Sequence, residues 1–271
     1  MAKGYESIEL QVKDGVATIR FNLPQYGNAL HLKGVQETLE ALHQAEADEN
    51  VGAVVLTGRG KAFCSGFNLK EIPADRDIDK MSAHFRVLAL WWHQVLHLIT
   101  RIRKPVLAAV NGVAAGSGLG MTLCADMAVC KSSARFLPAW HTIGLANDAT
   151  TSYSLVKIVG FRRAMEWMMT NRTVSAEEAL EMQLVNRVYD EASFDRNVES
   201  IAKQLADGPT HLQAMAKEGF HTGWRRSIEE ATEFEIQNVM QSVKHPYFAE
   251  SLKKFLAGER KSSEAQVTLP D

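Results

Sequence analysis

The sequence is short of proline and cysteine, and it has no excess of charge of either sign. It contains 7 Pro and 3 Cys among 271 residues. Its 30 Lys and Arg are balanced by 32 Asp and Glu, which leaves a formal net charge of −2. Such a surface lacks the strong positive field that attracts nucleic acid or an anionic membrane, so we expect neither as a partner. Any anionic ligand must be bound by local groups.

The cysteines follow no pattern that predicts a disulfide or a metal site. Cys64, Cys124 and Cys130 stand in apolar contexts, are odd in number and include no C-x-x-C pair. These features favour buried thiols in a reducing compartment. Residues 1–15 also lack the continuous apolar stretch of a secretory signal. We therefore expect a cytoplasmic protein.

One uncharged stretch, residues 105–125, is as long as a membrane span, for which about 20 apolar residues suffice. Asn111, Ser117 and several glycines interrupt it. This pattern instead predicts a buried strand, a glycine-rich turn and a helix of small residues at the centre of an α/β protein. With 46% hydrophobic residues, the chain has ample material for such a core.

The order of the periodic segments predicts a layered α/β fold. A hairpin turning at Asp14-Gly15 is followed by alternating helices and buried strands as far as about residue 190. Beyond that point only amphipathic helices are predicted, and they continue to about residue 256. We therefore divide the chain into an α/β core, 1–205, and a C-terminal helical region, 206–271. The predicted strands are 8–12, 16–22, 51–56, 106–111 and 125–129, and the predicted helices of the core include 31–48, 80–101 and 149–158.

Two glycine-containing loops follow predicted strands, at 62–67 and 111–120. Glycine lets backbone approach a ligand closely, and a helix that begins after such a loop offers N–H groups to negative charge. Two such loops would provide the two donors of an oxyanion hole. The alternative, that each loop is only a tight connection, stays open on these residues alone.

Two titratable residues attract attention, and each has an ordinary structural interpretation. Asp148 lies in an apolar neighbourhood just before a predicted helix, where Asp is also a common N-cap. His93 stands beside Trp91 and Trp92, either as a core imidazole or as a base in a dry aromatic pocket. His93 and His97 have a metal-like spacing but no third ligand, so we expect no metal.

Longer stretches resemble the crotonase, or enoyl-CoA hydratase and isomerase, superfamily. They are RIRKPVLAAVNG at 101–112 and SAEEALEMQLVN at 175–186, together with the two loops. The resemblance covers nearly the whole chain. It implies a spiral of βαβ units with a C-terminal helical trimerisation region, hence a homotrimer, and a CoA thioester as substrate. It also implies an oxyanion hole formed by the backbone N–H groups of Phe67 and Ser117.

The sequence departs from the hydratases of this superfamily at both of their catalytic glutamates. The corresponding positions hold Gly120 and Trp140. Without a carboxylate at either position, the chain cannot activate water for addition to a double bond in the usual way. Hydration is therefore disfavoured.

Further strings resemble the 4-chlorobenzoyl-CoA dehalogenases of the superfamily: LWWHQ at 90–94, AWHTIG at 139–144, ND at 147–148 and TSYS at 151–154. This resemblance implies hydrolytic conversion of 4-chlorobenzoyl-CoA, an aryl-CoA thioester, to 4-hydroxybenzoyl-CoA without a cofactor. Asp148 would be the nucleophile, His93 the general base and Trp140 an indole donor to the Asp148 carboxylate. The residues expected to line the substrate site are Cys64, Ser65, Gly66, Phe67, Phe85, Trp92 and Gly116.

Two departures from the dehalogenase pattern affect these expectations. Ser117 stands where the superfamily usually has glycine, and we expect its side chain to crowd the thioester. The loop 23–27 lacks the basic residue of the pattern, which leaves Lys70 and Arg260 as candidate partners of the CoA phosphates. Two alternatives remain: an enoyl- or dienoyl-CoA isomerase in which Asp148 moves a proton, and a non-catalytic acyl-CoA binding protein in which Asp148 is only an N-cap.

Overall fold

The structure, a computed structural model, describes residues 4–72, 75, 77–259 and 267–270. The chain begins with an antiparallel hairpin that turns at Asp14 and Gly15, whose φ angles are 51° and 79°. This confirms the predicted hairpin. Within the described residues the strands are β1 (Ile8–Lys13), β2 (Val16–Phe21), β3 (Ala53–Gly58), β4 (Ala62–Cys64), β5 (Val106–Val110), β6 (Val113–Ala115), β7 (Met127–Lys131), β8 (Arg135–Leu137), β9 (Val174–Ser175) and β10 (Arg187–Tyr189).

In this part of the chain the strands form two sheets. The larger sheet has the order β1-β2-β3-β5-β7-β10, and every pair after the β1–β2 hairpin is parallel. The smaller sheet has the order β4-β6-β8-β9. All residues of β3 and β5 are buried, as expected of central parallel strands covered on both faces.

The chain alternates between the two sheets, and this alternation makes the spiral. Strands β3, β5 and β7 lie in the larger sheet, and each is followed at once by a strand of the smaller sheet. The α/β spiral expected from the resemblance is therefore confirmed. The smaller sheet itself was not predicted: residues 62–64 and 113–115 are strands β4 and β6, not parts of glycine loops.

The helices agree closely with the hydrophobic periodicity. The helix predicted from 31 to 48 spans the 16 residues Leu32–Ala47. It is capped by the side chain of His31, which accepts from the Gly34 N–H. Helix 80–101 begins two residues earlier than predicted. In the described chain the helices are α1 (Leu32–Ala47), α2 (Ile78–Arg101), α3 (Ser117–Cys124), α4 (Thr151–Val159), α5 (Phe161–Thr170), α6 (Ala176–Glu181), α7 (Phe194–Ala206), α8 (Thr210–Gly223), α9 (Ile228–Lys244) and α10 (Pro246–Leu256).

From Phe194 to Leu256 the chain forms helices, as predicted, with breaks that include Gly208-Pro209 and His245-Pro246. Helix α7 packs on the larger sheet, and Val267 and Leu269 pack against the same cluster of buried residues. Helices α9 and α10 contain no buried residue. The division of the chain at residue 205 stays a prediction. Among the described helices, none is long and apolar enough to cross a membrane.

Candidate active site

Helix α2 carries His93 at the edge of the core. The N-cap of helix α2 is Asp77, whose side chain accepts a hydrogen bond of 2.9 Å from the Lys80 N–H. The apolar stripe of the helix packs inward, and its residues Leu88, Trp92, Val95, Leu96 and Ile99 are all buried. His93 follows Trp92 in sequence and is therefore rotated about a quarter turn from the stripe. Its side chain is 37% exposed, which leaves the imidazole half in the core and half accessible.

The imidazole of His93 meets the carboxylate of Asp148. His93 Nε2 lies 2.8 Å from Asp148 Oδ1, a hydrogen-bond distance between residues 55 positions apart. The Asp148 side chain is 28% exposed. The fold thus brings together two residues that the sequence resemblance predicts as nucleophile and base.

The backbone after Asp148 has an unusual conformation that excludes the N-cap interpretation. Ala149 and Thr150 both have left-handed φ angles, 54° and 62°. Helix α4 therefore begins at Thr151, two residues later than predicted, and its N-cap is Thr150, without a side-chain capping bond. Asp148 contributes only its carbonyl oxygen, which accepts from the Thr151 N–H at 3.1 Å. The carboxylate is hydrogen-bonded to His93 and to the Ala149 N–H and does not cap the helix.

Gly120 explains how Ala149 fits against the core. A β carbon built on Gly120 would lie 2.5 Å from the carbonyl oxygen of Ala149, which is too close. Ala149 is fully buried in the space that a side chain at position 120 would need. The position that holds a glutamate in hydratases thus serves here to seat the residue next to Asp148. This chain therefore lacks a carboxylate at position 120 for hydratase chemistry.

The pKa values of the pair move in opposite directions. The hydrogen bond that His93 donates to the Asp148 carboxylate is the largest cause that raises the pKa of His93, burial opposes it, and the Asp148 charge adds to the rise. Burial, the largest single cause, raises the pKa of Asp148. The His93 hydrogen bond, the Ala149 N–H and the His93 charge lower it by more than burial raises it, so the net shift is downward. The pair is therefore ionised as imidazolium and carboxylate over the intermediate pH range.

The two glycine loops touch each other at the start of α3, the helix whose Gly120 packs against Ala149. Gly66 has a φ of 96°, and a β carbon built on it would lie 3.2 Å from the Ala115 carbonyl oxygen and 3.7 Å from Ser117 N. Gly118 has no room for a side chain because a β carbon would lie 2.9 Å from the Cys64 Cβ. Glycine is thus required at both points where the loops approach.

This contact brings together two backbone N–H groups that have no acceptor among the described residues. They belong to Phe67, after β4, and to Ser117, the first residue of α3. Ser117 N–H is free because the first residues of a helix have no intrahelical acceptor. Two such donors that point at one oxygen would stabilise negative charge on it, and the oxyanion hole of Phe67 and Ser117 stays a prediction.

The predicted hydrogen bond between Trp140 and Asp148 is not formed. Within the described chain, Asp148 is bonded to His93 and not to the indole. Trp140 is 5% exposed, and a β carbon on Gly116 would lie 4.0 Å from its Cε2. Trp140 therefore borders the glycine loop, and its role as a donor to Asp148 stays a prediction.

The residues expected to line the aryl pocket differ in exposure. Phe67 and Phe85 are half-buried, whereas Trp92 is fully buried and its indole N–H has no acceptor in the described chain. Cys64 is also fully buried, and burial raises the pKa of its thiol to about 12. The thiol of Cys64 is thus held neutral in the core, and this residue borders the site through its backbone.

The expected CoA contacts are the least defined part of the site. Ser65 is exposed at the mouth of the first loop, with its hydroxyl 3.4 Å from the Tyr26 carbonyl oxygen. Lys70 is exposed, and its Nζ lies 5.4 Å from the centre of the Tyr26 ring. Arg260 lies outside the described residues. Phosphate binding by Lys70 and Arg260 stays a prediction.

His97 stacks over His93 one turn along α2, with ring centroids 6.3 Å apart. In the part of the chain that the structure describes, no group of three or more His, Cys, Asp or Glu side chains is arranged to hold a metal ion. Burial, Arg101 and His93 lower the pKa of His97, which is therefore neutral near pH 7.

Comparison with known proteins agrees with this architecture. The sequence pattern of the enoyl-CoA hydratase/isomerase family matches residues 11–264. The chain therefore belongs to the enoyl-CoA hydratase/isomerase family. A crystal structure of enoyl-CoA hydratase from Mycobacterium smegmatis superimposes with a TM-score of 0.86 at 30% identity, over 95% of this chain and 98% of that one.

Two curated relatives are much more similar in sequence. They are 4-chlorobenzoyl coenzyme A dehalogenase-2 and 4-chlorobenzoyl coenzyme A dehalogenase-1, both from Arthrobacter sp.. Each is 51% identical to this chain over 262 residues, which is 97% of this chain and 95% of the relative.

The sequence did not reveal how the backbone positions Asp148. Neither Ala149 nor Thr150 is a residue type that favours a left-handed φ, so their conformation has no local signal. The sole indication was Gly120, which we interpreted as a missing glutamate and not as a space for Ala149. Contacts between residues 29 positions apart are not encoded in local patterns.

Proposed function

We propose that this protein hydrolyses 4-chlorobenzoyl-CoA to 4-hydroxybenzoyl-CoA and chloride through an aryl ester on Asp148. One observation carries the proposal: the Asp148 carboxylate lies 2.8 Å from the His93 imidazole, in a fold whose hydratase glutamate positions hold Gly120 and Trp140. The N–H groups of Phe67 and Ser117 have no backbone acceptor among the described residues. The 51% identity to two dehalogenases supports it.

The first step needs a nucleophile and an electron sink. An Asp148 oxygen attacks the ring carbon that bears chlorine, and the electron pair passes through the ring to the thioester oxygen. The N–H groups of Phe67 and Ser117 stabilise this charge, and removing one such donor in other enzymes costs roughly 100- to 1,000-fold in turnover. Return of the pair expels chloride and leaves the aryl ester.

The second step needs a base. Water attacks the ester carbonyl of Asp148 while His93 takes its proton, and the bond between the carboxyl carbon and the aryl oxygen breaks. The product is 4-hydroxybenzoyl-CoA, and the Asp148 carboxylate is restored. No electrons are gained or lost, so the reaction requires no redox cofactor such as a flavin or nicotinamide, and in this proposal the protein groups alone carry the charges without a metal.

Formation of the ester prepares His93 for this step. The Asp148 carboxylate raises the pKa of His93 in the free protein. Esterification removes that negative charge, while the burial that lowers the pKa of His93 remains. Its pKa therefore falls, and the imidazolium releases its proton to solvent. The neutral base is produced at the step that uses it.

The two alternatives lack such support. An isomerase would need only one proton-moving acid and gives no reason for the paired His93. A non-catalytic binding protein was favoured only if Asp148 capped a helix, and its carboxylate caps none.

The direct test is chloride release on mixing with 4-chlorobenzoyl-CoA. We expect steady release by the natural protein and a loss of at least about 10,000-fold in Asp148→Asn, because the amide cannot act as the nucleophile. The exposed Asp195→Asn is the matched control and should behave as the natural sequence does. Binding of the thioester without chloride release would contradict the proposal.

We also propose that the working form is a homotrimer in the cytoplasm. Helices α9 and α10 present exposed apolar side chains at helical spacing: Ile236, Val239, Met240, Val243, Phe248, Leu252, Phe255 and Leu256. Exposed apolar faces of this size mark interaction surfaces. The free, buried cysteines suit a reducing compartment. Sedimentation as a stable monomer at micromolar concentration would contradict the trimer.

A further inference from the structure

The buried Ser and Thr hydroxyls of the described chain all have hydrogen-bond partners except that of Ser117. Ser117 is 1% exposed, and its Oγ has no partner. Buried polar groups are nearly always paired, so an unpaired hydroxyl requires an explanation. The paired hydroxyls are those of Ser7, Thr38, Thr57, Thr122 and Thr151.

Helix geometry does not supply a partner for Ser117. Thr122, in the same helix α3, satisfies its hydroxyl on the Gly118 carbonyl oxygen four residues earlier, at 3.1 Å. Ser117 is the first residue of α3, and the N-cap is Gly116, without a side-chain capping bond. Its hydroxyl therefore takes part neither in the helix ladder nor in the cap.

The hydroxyl and the free N–H group of Ser117 lie at the same end of helix α3. The Cα–Cβ bond of a helical residue is tilted toward the helix N-terminus. This tilt places the hydroxyl toward the same end of α3 as the Ser117 N–H. The Ser117 nitrogen lies beside Gly66, because a β carbon built on Gly66 would be 3.7 Å from it, and Phe67 follows Gly66 in the chain. The free donors of Ser117 and Phe67 lie where these two segments meet.

We infer that the hydroxyl of Ser117 is a third donor to the thioester oxygen, beside the N–H groups of Phe67 and Ser117. This inference rests on the proposed function and extends it. A neutral carbonyl oxygen is served by two hydrogen bonds, whereas an oxygen that has gained negative charge accepts a third. The hydroxyl therefore acts most strongly after ring attack, which selects acyl groups that can pass charge to the thioester oxygen.

The kinetic test separates this role from a structural one. In Ser117→Ala the rate of ester formation, measured by rapid quench, should fall about 10- to 100-fold with little change in KM, because a hydrogen bond to charge is lost. Ser117→Gly should show the same loss. Thr122→Val removes a buried hydroxyl from the same helix and is the control, with an unchanged rate expected.

Thermal unfolding adds a readout in the opposite direction. Because Ser117→Ala removes an unpaired buried polar group, it should unfold at the same temperature as the natural sequence or at a higher one. A lower unfolding temperature together with an unchanged rate of ester formation would assign the hydroxyl to the fold and overturn the inference.

A spectroscopic test does not depend on turnover. Bound 4-hydroxybenzoyl-CoA is a push–pull chromophore, and hydrogen bonds to its carbonyl oxygen shift its absorption to longer wavelength. We expect a smaller shift with Ser117→Ala than with the natural sequence. Equal shifts, or no shift with the natural sequence, would overturn the inference. If the natural protein releases chloride but the two absorption shifts are equal, only this inference is contradicted. If the shifts differ but no chloride is released, only the proposed function is contradicted.

Discussion

Helix α3 and the helices α9 and α10 are extremes of burial in the described chain. All eight residues of α3 are buried, including the small residues Ser117, Gly118 and Gly120. Helices α9 and α10, in contrast, have no buried residue. The apolar side chains Met240 and Phe255 are 53% and 62% exposed. Within the described residues, the chain therefore buries the helix that carries Ser117 but leaves the apolar side chains of α9 and α10 exposed to solvent.

Replacing His93 with Gln should affect chemistry and leave assembly unchanged. Hydrolysis of the aryl ester should slow about 100- to 10,000-fold because the water loses its base, while ring attack persists. The ester should then accumulate and be visible by rapid quench. His97→Gln, one turn away on the exposed side of α2, is the control. Equal slowing of both steps in His93→Gln would show that the assigned role is wrong.

Replacing Gly120 with Ala tests the tight packing around α3. The new β carbon would collide with Ala149, so the residues that position Asp148 must shift. A misplacement of about 1 Å costs about 100-fold in rate, and we expect a loss of that size in chloride release. Gly219→Ala, where a β carbon would meet only the Phe234 ring at 3.4 Å, is the control. Full activity in Gly120→Ala would separate Ala149 from the positioning of Asp148.

Replacing Val239 with Glu should weaken assembly, in contrast to His93→Gln, which should change only the chemistry. A charge in the apolar stripe of α9 should weaken association of the subunits roughly 10- to 100-fold, because the carboxylate must be desolvated on assembly. Gln241→Glu, on the same helix but outside the stripe, should leave assembly unchanged. Sedimentation over a range of concentrations measures both. An undisturbed oligomer in Val239→Glu would place the interface elsewhere.

The smallest expected effect is a shift in the titration of His93. Its pKa is raised by Asp148, so Asp148→Asn should lower it, as formation of the ester does. Since the folded-state pKa of His93 is raised and that of Asp148 is lowered, the pair stabilises the fold between those two values. This contribution is lost as pH rises through the first or falls through the second. NMR titration of His93 in both proteins checks the direction, and an unchanged pKa would contradict the pairing.

The sequence predicted five of the six strands of the larger sheet and most helices, because long periodic segments and buried runs encode them locally, but it did not predict β10. The strands β4 and β6 escaped prediction because three residues are too few for a period, and their glycine-rich surroundings have the composition of loops. Burial of β4 depends on pairing with residues about 50 positions away.

The site was predictable as a set of residues but not as an arrangement. Family resemblance supplied Asp148, His93, Phe67 and Ser117, and the fold brings each pair together. No pattern in the sequence revealed the left-handed backbone at 149–150, and the expected bond from Trp140 is absent among the described residues. Such details depend on tertiary contacts, which a single sequence does not display.

The origin of the product oxygen tests the central claim most directly. In a single turnover in heavy-oxygen water with protein in excess, attack by Asp148 transfers an original carboxylate oxygen to 4-hydroxybenzoyl-CoA, and solvent oxygen enters Asp148 during hydrolysis. We predict a mostly unlabelled first product and one heavy oxygen in the peptide from Trp140 to Thr150. Heavy oxygen in the first product with an unlabelled peptide would contradict the nucleophilic role of Asp148.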